Sequence, residues 1–337
     1  MDYLRQWMDN SVCKNDHIYN LKMESLFDLS IHIPEDTSKL LIWCTNINDR
    51  HLDSILQNLS LLVSPEEKTK IEKLRIKEDR KRSLLSLLMQ KEMIRHVFKC
   101  SHDDFEIKRT LENKPFVVVE EKYVSDSLKS WNYNVSHHGQ FVAIASLSNR
   151  LIGVDIVEIS THNPRYNSAS NYVSMFESQL TSKELTNILS SSTDIAIYRQ
   201  FAIYWSLKES FIKAIGKGLG FDLKQIEFEI HLVDSDETHQ LRGSAMATIH
   251  GKQRKDWSFD FFCLDTNHLL TLARGPLNDV DMVWCDDEKK KLCDLQCNEI
   301  QRCQVVFKSV EELLFKEKKE DDDTFNTLYR QLDGLHL

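Results

Sequence analysis

Three ionisable residues carry the first chemical argument. In Trp205-Ser206-Leu207-Lys208-Glu209-Ser210-Phe211-Ile212-Lys213, Glu209 and Lys213 stand at i and i+4 inside an otherwise apolar run. On a helix that spacing puts both on one side, where they can address the same object. Trp205, Ile212 and Ile215 face one side and Leu207, Phe211 and Ala214 a neighbouring one, so little of the circumference is free for water. Ions are seldom buried without a purpose, and an exposed pair of this kind contributes only about 0.3–0.5 kcal/mol. The third residue, Asp155, follows the apolar run that ends in Gly153-Val154. An acid at a strand end beside a cleft is a natural ligand for a hard cation.

These residues need elements to position them. Residues 38–46 read as a strand, with Leu40, Leu41, Ile42 and Trp43 apolar. Ser64, Pro65, Glu66 and Glu67 spell a helix start, and a longer helix from about Glu78 to Phe98 buries Leu84, Leu87, Leu88, Met93 and Ile94. Short strands follow at 105–107, 115–119, 141–145 and 151–157; after the helix carrying Trp205 to Gly216 come 226–230, 245–249, 257–263 and 269–273. Phe105-Glu106-Ile107 and Phe228-Glu229-Ile230 look like equivalent positions. The expected fold is α+β: two pseudo-symmetric halves, each a small antiparallel sheet packed with a long helix, with the active site at their interface. The expected division is an N-terminal half over 1–149, a C-terminal half with the metal site over 150–285, and a partly disordered extension over 286–337. In that extension Val305, Val306, Phe307, Leu313 and Leu314 form an apolar piece able to pack back as a strap.

Composition excludes several classes of function. A formal charge of -9 and a pI near 5.8 oppose a general nucleic-acid binder, which needs a basic stripe. Lys68, Lys70, Lys73, Arg75, Lys77, Arg80, Lys81 and Arg82 form the densest basic patch, balanced by Glu66, Glu67, Glu72, Glu78 and Asp79 as on a solvated helix face. No uncharged apolar run is long enough for a membrane span, and the first ten residues lack a secretory leader, so the expected compartment is the cytosol. Of the eight cysteines only Cys285, Cys293, Cys297 and Cys303 cluster, and their spacing is poor for structural zinc. No phosphate-binding loop of the Gly-x-x-x-x-Gly-Lys type is present.

Four motifs then stand in order: Asn113-Lys114-Pro115, Asn134-Val135-Ser136-His137, Gly153-Val154-Asp155 and the Trp205 to Lys213 segment. Over about 64–274 the chain resembles the 4'-phosphopantetheinyl transferases of the long, two-halved animal type. The resemblance implies Mg²⁺ between the halves, held by Asp155 and Glu209, with coenzyme A as substrate. A carrier-protein serine would attack the phosphorus nearer the pantetheine. It further implies catalytic roles for Glu209, Lys213, Asp155 and His137: Glu209 draws the serine proton, directly or through a metal-bound water, and Lys213 neutralises or protonates the departing 3',5'-ADP. Coenzyme contacts would come from Lys70, Arg82, Arg109, Lys114, the loop Asn134 to His137 including Ser136, and from Glu209 and Lys213. Lys208 is read as a second phosphate neighbour and Ser210 as packing or capping.

The acceptors implied are acyl and peptidyl carrier domains of the fatty acid synthase and aminoadipate-semialdehyde dehydrogenase types, docking near Lys217, Leu219 and Phe221. No nucleic-acid or membrane partner is expected. Because one chain supplies both parts of the site, the expected state is a monomer. The alternative is a catalytically silent regulator that binds coenzyme A or carriers. Two departures mark the chain: Val157 stands where many bacterial members have a further acid, and Asn113 replaces a glycine, which asparagine can imitate at positive φ.

Overall fold

A computed structural model describes residues 39–49, 52–57, 63–159, 168–233, 242–279, 306–309 and 313. The readings on the first ten residues, on Cys285, Cys293, Cys297 and Cys303, and on most of the extension lie outside them. The first half runs β1 (Leu41–Asn46), α1 (Leu52–Gln57), α2 (Pro65–Glu72), α3 (Lys77–Phe98), β2 (Phe105–Arg109), β3 (Pro115–Val119), β4 (Asn132–His138) and β5 (Phe141–Leu147). The second runs β6 (Leu151–Glu158), α4 (Ala169–Ser174), α5 (Ser182–Leu189), α6 (Asp194–Ile215), β7 (Ile226–Val233), β8 (Arg242–Ile249), β9 (Lys252–Cys263) and β10 (His268–Gly275), with β11 (Val306–Phe307) beyond it.

Local chemistry sets the helix ends. Ser64 and Glu67 form a reciprocal capping box, which satisfies two otherwise orphaned amides at the start of α2. Thr193 caps α6 through the Ala196 amide, and α6 closes on Gly216 at φ 69°, a left-handed position glycine adopts freely. The helix therefore begins well before Trp205, and its first turn already buries Ala196 and Ile197.

The strands sort into layers by alternation. On β1, Leu41 and Trp43 pack with Leu84, Leu88 and Met93 of α3, whereas Ile42 and Cys44 face the other way. On β6, Leu151 joins the core around α6, whereas Ile152, Val154 and Ile156 meet Ile42, Cys44, Phe141 and Ala143 in a core between the two sheets. The order of layers is helix, sheet, sheet, helix, so the α+β expectation holds. One sheet has strand order β11-β1-β5-β4 and the other β6-β10-β9-β8-β7; β2 and β3 form a separate ribbon. The halves correspond in the runs β1-β5-β4 and β6-β10-β9, and there the likeness of the sheets ends. Phe228 lies in the five-stranded sheet, while Phe105 lies in the detached ribbon. The strap is real in part: β11 pairs parallel with β1, and Leu313 enters the core beneath α3.

One expectation is corrected. Asn134 to His137 is not a loop but the middle of β4. Its polar residues point to the other half, where side chains of Asn132, Asn134, Ser136 and His138 accept the backbone amides of Ile152, Val154, Ile156 and Glu158 in turn. Period-two side chains thus satisfy the free edge of β6 in place of a neighbouring strand.

Candidate active site between the two halves

The site begins with a close approach of helix and sheet. A Cβ on Gly153 would collide with the Ser210 carbonyl and the Ala214 amide, so the glycine is what lets α6 lie directly on β6. Two residues along the same strand face stands Asp155, buried at 7% exposure. Its Oδ1 accepts from Lys213 Nζ at 2.6 Å and from Ser136 Oγ at 3.2 Å, and its Oδ2 accepts from Ser206 Oγ at 2.9 Å. Ser136 is itself a junction, since its Oγ also accepts from the Ile156 amide at 3.1 Å and from Lys213 Nζ at 2.8 Å. Three elements from both halves therefore meet at one carboxylate.

Glu209 lies one turn before Lys213 and is half-buried. Its carboxyl is held above the usual carboxylate range, first by loss of water and then by the charge of Asp155, with Lys213 opposing both. Two oxygen donors that repel one another suit a hard divalent cation, which would relieve the repulsion. Mg²⁺ keeps several waters and shares substrate phosphates, so two carboxylates are sufficient protein support. Among the described residues no group of three or more His, Cys, Asp or Glu side chains is disposed to hold a metal.

A cavity of about 330 Å³ opens beside these groups, and its wall includes Arg109, Lys114, Asn134, Glu209 and Lys213. The β2–β3 turn shapes it: Asn113 has φ 71°, as its replacement of glycine requires, and its carbonyl accepts from Arg109 at 2.9 Å. Lys114 is buried with its Nζ on the Ala214 carbonyl at 2.6 Å, near the C-terminal end of α6, and burial pushes its ammonium down to about 7. His137 keeps an exposed surface, yet its ring is held below the ordinary imidazole range by partial loss of water and then by the nearby charges of Lys213 and Arg82. Arg82 donates to the Gly139 carbonyl at 2.6 Å, on the turn after β4, and pairs with Asp79. Arg109 and Lys213 thus share the cavity wall with Glu209, while Arg82 lies near His137, an arrangement fitted to a polyanion bound with a cation.

The structure does not bring every expected residue to this place. Lys70 lies exposed on α2, where its charge acts on Glu66. Lys208 requires a correction: it is no phosphate neighbour. Its side chain is fully buried on the far side of α6, pairs with Glu184 at 2.8 Å, and donates to the carbonyls of Leu223 and Ile226. Ser210 packs as expected, donating to the Leu207 carbonyl. Phe221 is engaged with Phe211 and His250. The sequence reading missed Ser206, Thr271 and Glu184; only Glu184 had a local signal, the Thr181-x-x-Glu184 capping box.

Comparison with known proteins extends this geometry. Residues 52–149 match the family model of the 4'-phosphopantetheinyl transferase N-terminal region, and 151–273 match that of the 4'-phosphopantetheinyl transferase superfamily. The L-aminoadipate-semialdehyde dehydrogenase-phosphopantetheinyl transferase of Xenopus laevis is 32% identical over 216 residues, covering 64% of this chain and 69% of that protein. The chain belongs to the 4'-phosphopantetheinyl transferase family. The Homo sapiens protein of the same description is 28% identical over 211 residues, 63% of this chain and 66% of that protein. A phosphopantetheinyl transferase of Thraustochytrium sp. is 28% identical over 225 residues, 66% and 73% of the two chains. This transferase is accordingly an enzyme whose family takes coenzyme A as substrate and carrier proteins as partners. No helix among its described residues is long and apolar enough to cross a membrane.

Proposed function

We propose that this transferase moves 4'-phosphopantetheine from coenzyme A to a serine of carrier-protein domains in a Mg²⁺-dependent reaction. The observation that carries the reading is the meeting of Asp155, Glu209, Lys213 and Ser136 at the edge of a cavity walled by basic side chains. Asp155 and Glu209 are the residues that would hold Mg²⁺; bound there, it supplies positive charge that offsets the anionic pyrophosphate. The serine oxygen forms a bond to the phosphorus nearer the pantetheine, and the bond to 3',5'-ADP breaks. Glu209, beside the cavity, takes the serine proton. Lys213 neutralises or protonates the departing phosphate. Arg82, His137, Arg109 and Lys114 orient the coenzyme, and Asn134 contributes from the cavity wall. Carriers of the fatty acid synthase and aminoadipate-semialdehyde dehydrogenase types are the proposed acceptors, with a monomer acting in the cytosol.

The test is transfer of labelled phosphopantetheine from coenzyme A to an apo carrier protein, with and without Mg²⁺. Wild type should transfer only with the cation, and Glu209→Ala should be inactive while still folding. Full activity in that variant would sink the site assignment. Coenzyme A binding by wild type without any transfer would instead favour a silent regulator.

A further inference from the structure

Asp155 has a second set of partners that the transfer chemistry above does not use. Ser206 and Thr271 are both fully buried. Thr271 stands directly opposite Asp155 across the β6–β10 ladder, so both side chains rise from the sheet towards α6. There Thr271 Oγ1 lies 2.8 Å from Ser206 Oγ and donates to the Ser206 carbonyl at 2.8 Å, while Ser206 Oγ donates to Asp155 Oδ2 at 2.9 Å. The proton count gives the chain a direction. An ionised carboxylate only accepts, so the single Ser206 proton goes to Asp155, and the Thr271 proton is shared between the Ser206 carbonyl and hydroxyl oxygens.

Pinning Oδ2 fixes the rotation of the carboxylate about its last bond. Oδ1 is then held on the side reached by Lys213 and Ser136. Because the three groups lie out of water, no solvent competes for these bonds. We propose that Ser206 and Thr271 are positioning residues for the transfer reaction, forming a hydroxyl relay that holds the Asp155 carboxylate with Oδ1 towards the cleft. The inference rests on Asp155 being part of the site.

The experiment compares Thr271→Val, Ser206→Ala, the double variant, Thr271→Ser and Asp155→Ala. Transfer kinetics are followed over a range of Mg²⁺ concentrations, coenzyme A affinity is measured by calorimetry with and without Mg²⁺, and melting temperature is recorded. Loss of such an outer partner typically lowers metal affinity or activity about 10- to 100-fold. Thr271→Val should therefore raise the Mg²⁺ needed for half-maximal rate and reduce the Mg²⁺-dependent gain in coenzyme A affinity, with melting temperature little changed. Thr271→Ser should restore both readouts, and the double variant should be no worse than Ser206→Ala, as expected of one chain. Wild-type Mg²⁺ dependence in Thr271→Val and Ser206→Ala, with Asp155→Ala inactive, overturns the relay alone. An unchanged Mg²⁺ requirement with activity falling only in step with melting temperature overturns it too. Wild-type activity in Asp155→Ala removes the site reading itself.

Discussion

Lys208 and Lys213 stand five residues apart on one helix, about 140° apart around its axis. Each has a carboxylate partner: Glu184 at 2.8 Å for Lys208 and Asp155 at 2.6 Å for Lys213. The first pair has both side chains at 0% exposure; in the second, Lys213 keeps 28% of its side chain in contact with solvent. The Lys208 pair is closed. Its ammonium also meets two carbonyls, and Glu184 also accepts the amides of Phe228 and Thr181, tying α5, α6 and the start of β7 together. The Lys213 pair is open, with Glu209 unshared beside it and a cavity alongside. Saturated ions hold structure, whereas ions left with spare capacity at a cleft are those a ligand can recruit.

The largest expected effect breaks the closed pair. Lys208→Met leaves a buried carboxylate without its cation, which should lower stability by about 3–5 kcal/mol. Urea denaturation measures it, and the Lys208→Met/Glu184→Gln double variant should be less destabilised than Lys208→Met alone. A loss below about 1 kcal/mol would mean that the pair is not the tie described. Lys213→Met should do the converse. Transfer should fall by about 10²- to 10⁴-fold for the loss of a proton donor, with a smaller loss of stability than in Lys208→Met, because the buried Asp155 loses its cation but keeps Ser136 and Ser206 as donors beside a partly solvated cleft. Matched losses of activity and melting temperature would erase the distinction between the two lysines.

Much of this was legible in the sequence, but not the distinction itself. The i, i+4 spacing of Glu209 and Lys213 fixes their common face, and the Gly153-Val154-Asp155 pattern finds the strand. Lys208 is adjacent to Glu209 in sequence yet one-quarter turn or more away on the helix, and its partner Glu184 reads in sequence as an ordinary capping-box residue of a short amphipathic helix. β4 was hidden for a related reason. Alternating polar residues bounded by histidines resemble a turn, and only the packing of β6 against them makes Asn132, Asn134 and Ser136 interior. Thr271 meets Ser206 across 65 residues of chain, a contact without a local signature.

A third lysine tests where between these limits a buried cation falls. Lys114 is buried, as Lys208 is, but meets a helix carbonyl in place of a carboxylate, and burial lowers it to about 7. A lowered pKa contributes stability that is complete above the unfolded value near 10.5 and is lost as pH falls through the folded one. Between those limits stability should rise by roughly 1.4 kcal/mol per pH unit on account of this group. Lys114→Met should remove that slope, read as the difference between the wild-type and variant urea midpoints at pH 7.5 and 9. Equal slopes in the two proteins would show that Lys114 is not held neutral.

The smallest effect is at Glu209, set against Glu184. Glu184 is fully satisfied, whereas Glu209 is half-desolvated beside Asp155, and that burden raises its proton affinity. For a raised carboxyl the stability is fully present below the unfolded pKa and is lost as pH rises through the folded one. Glu209→Gln should therefore gain nothing near pH 4 and about 0.5–2 kcal/mol near pH 8, the range common when a functional strain is removed. Glu184→Gln should instead destabilise at neutral pH, since it withdraws a charge from a saturated network. Thermal melts of both variants across that pH range decide the point. Destabilisation by Glu209→Gln at pH 8 would place Glu209 with the structural ions, and the open half of the comparison would then rest on Asp155 and Lys213 alone.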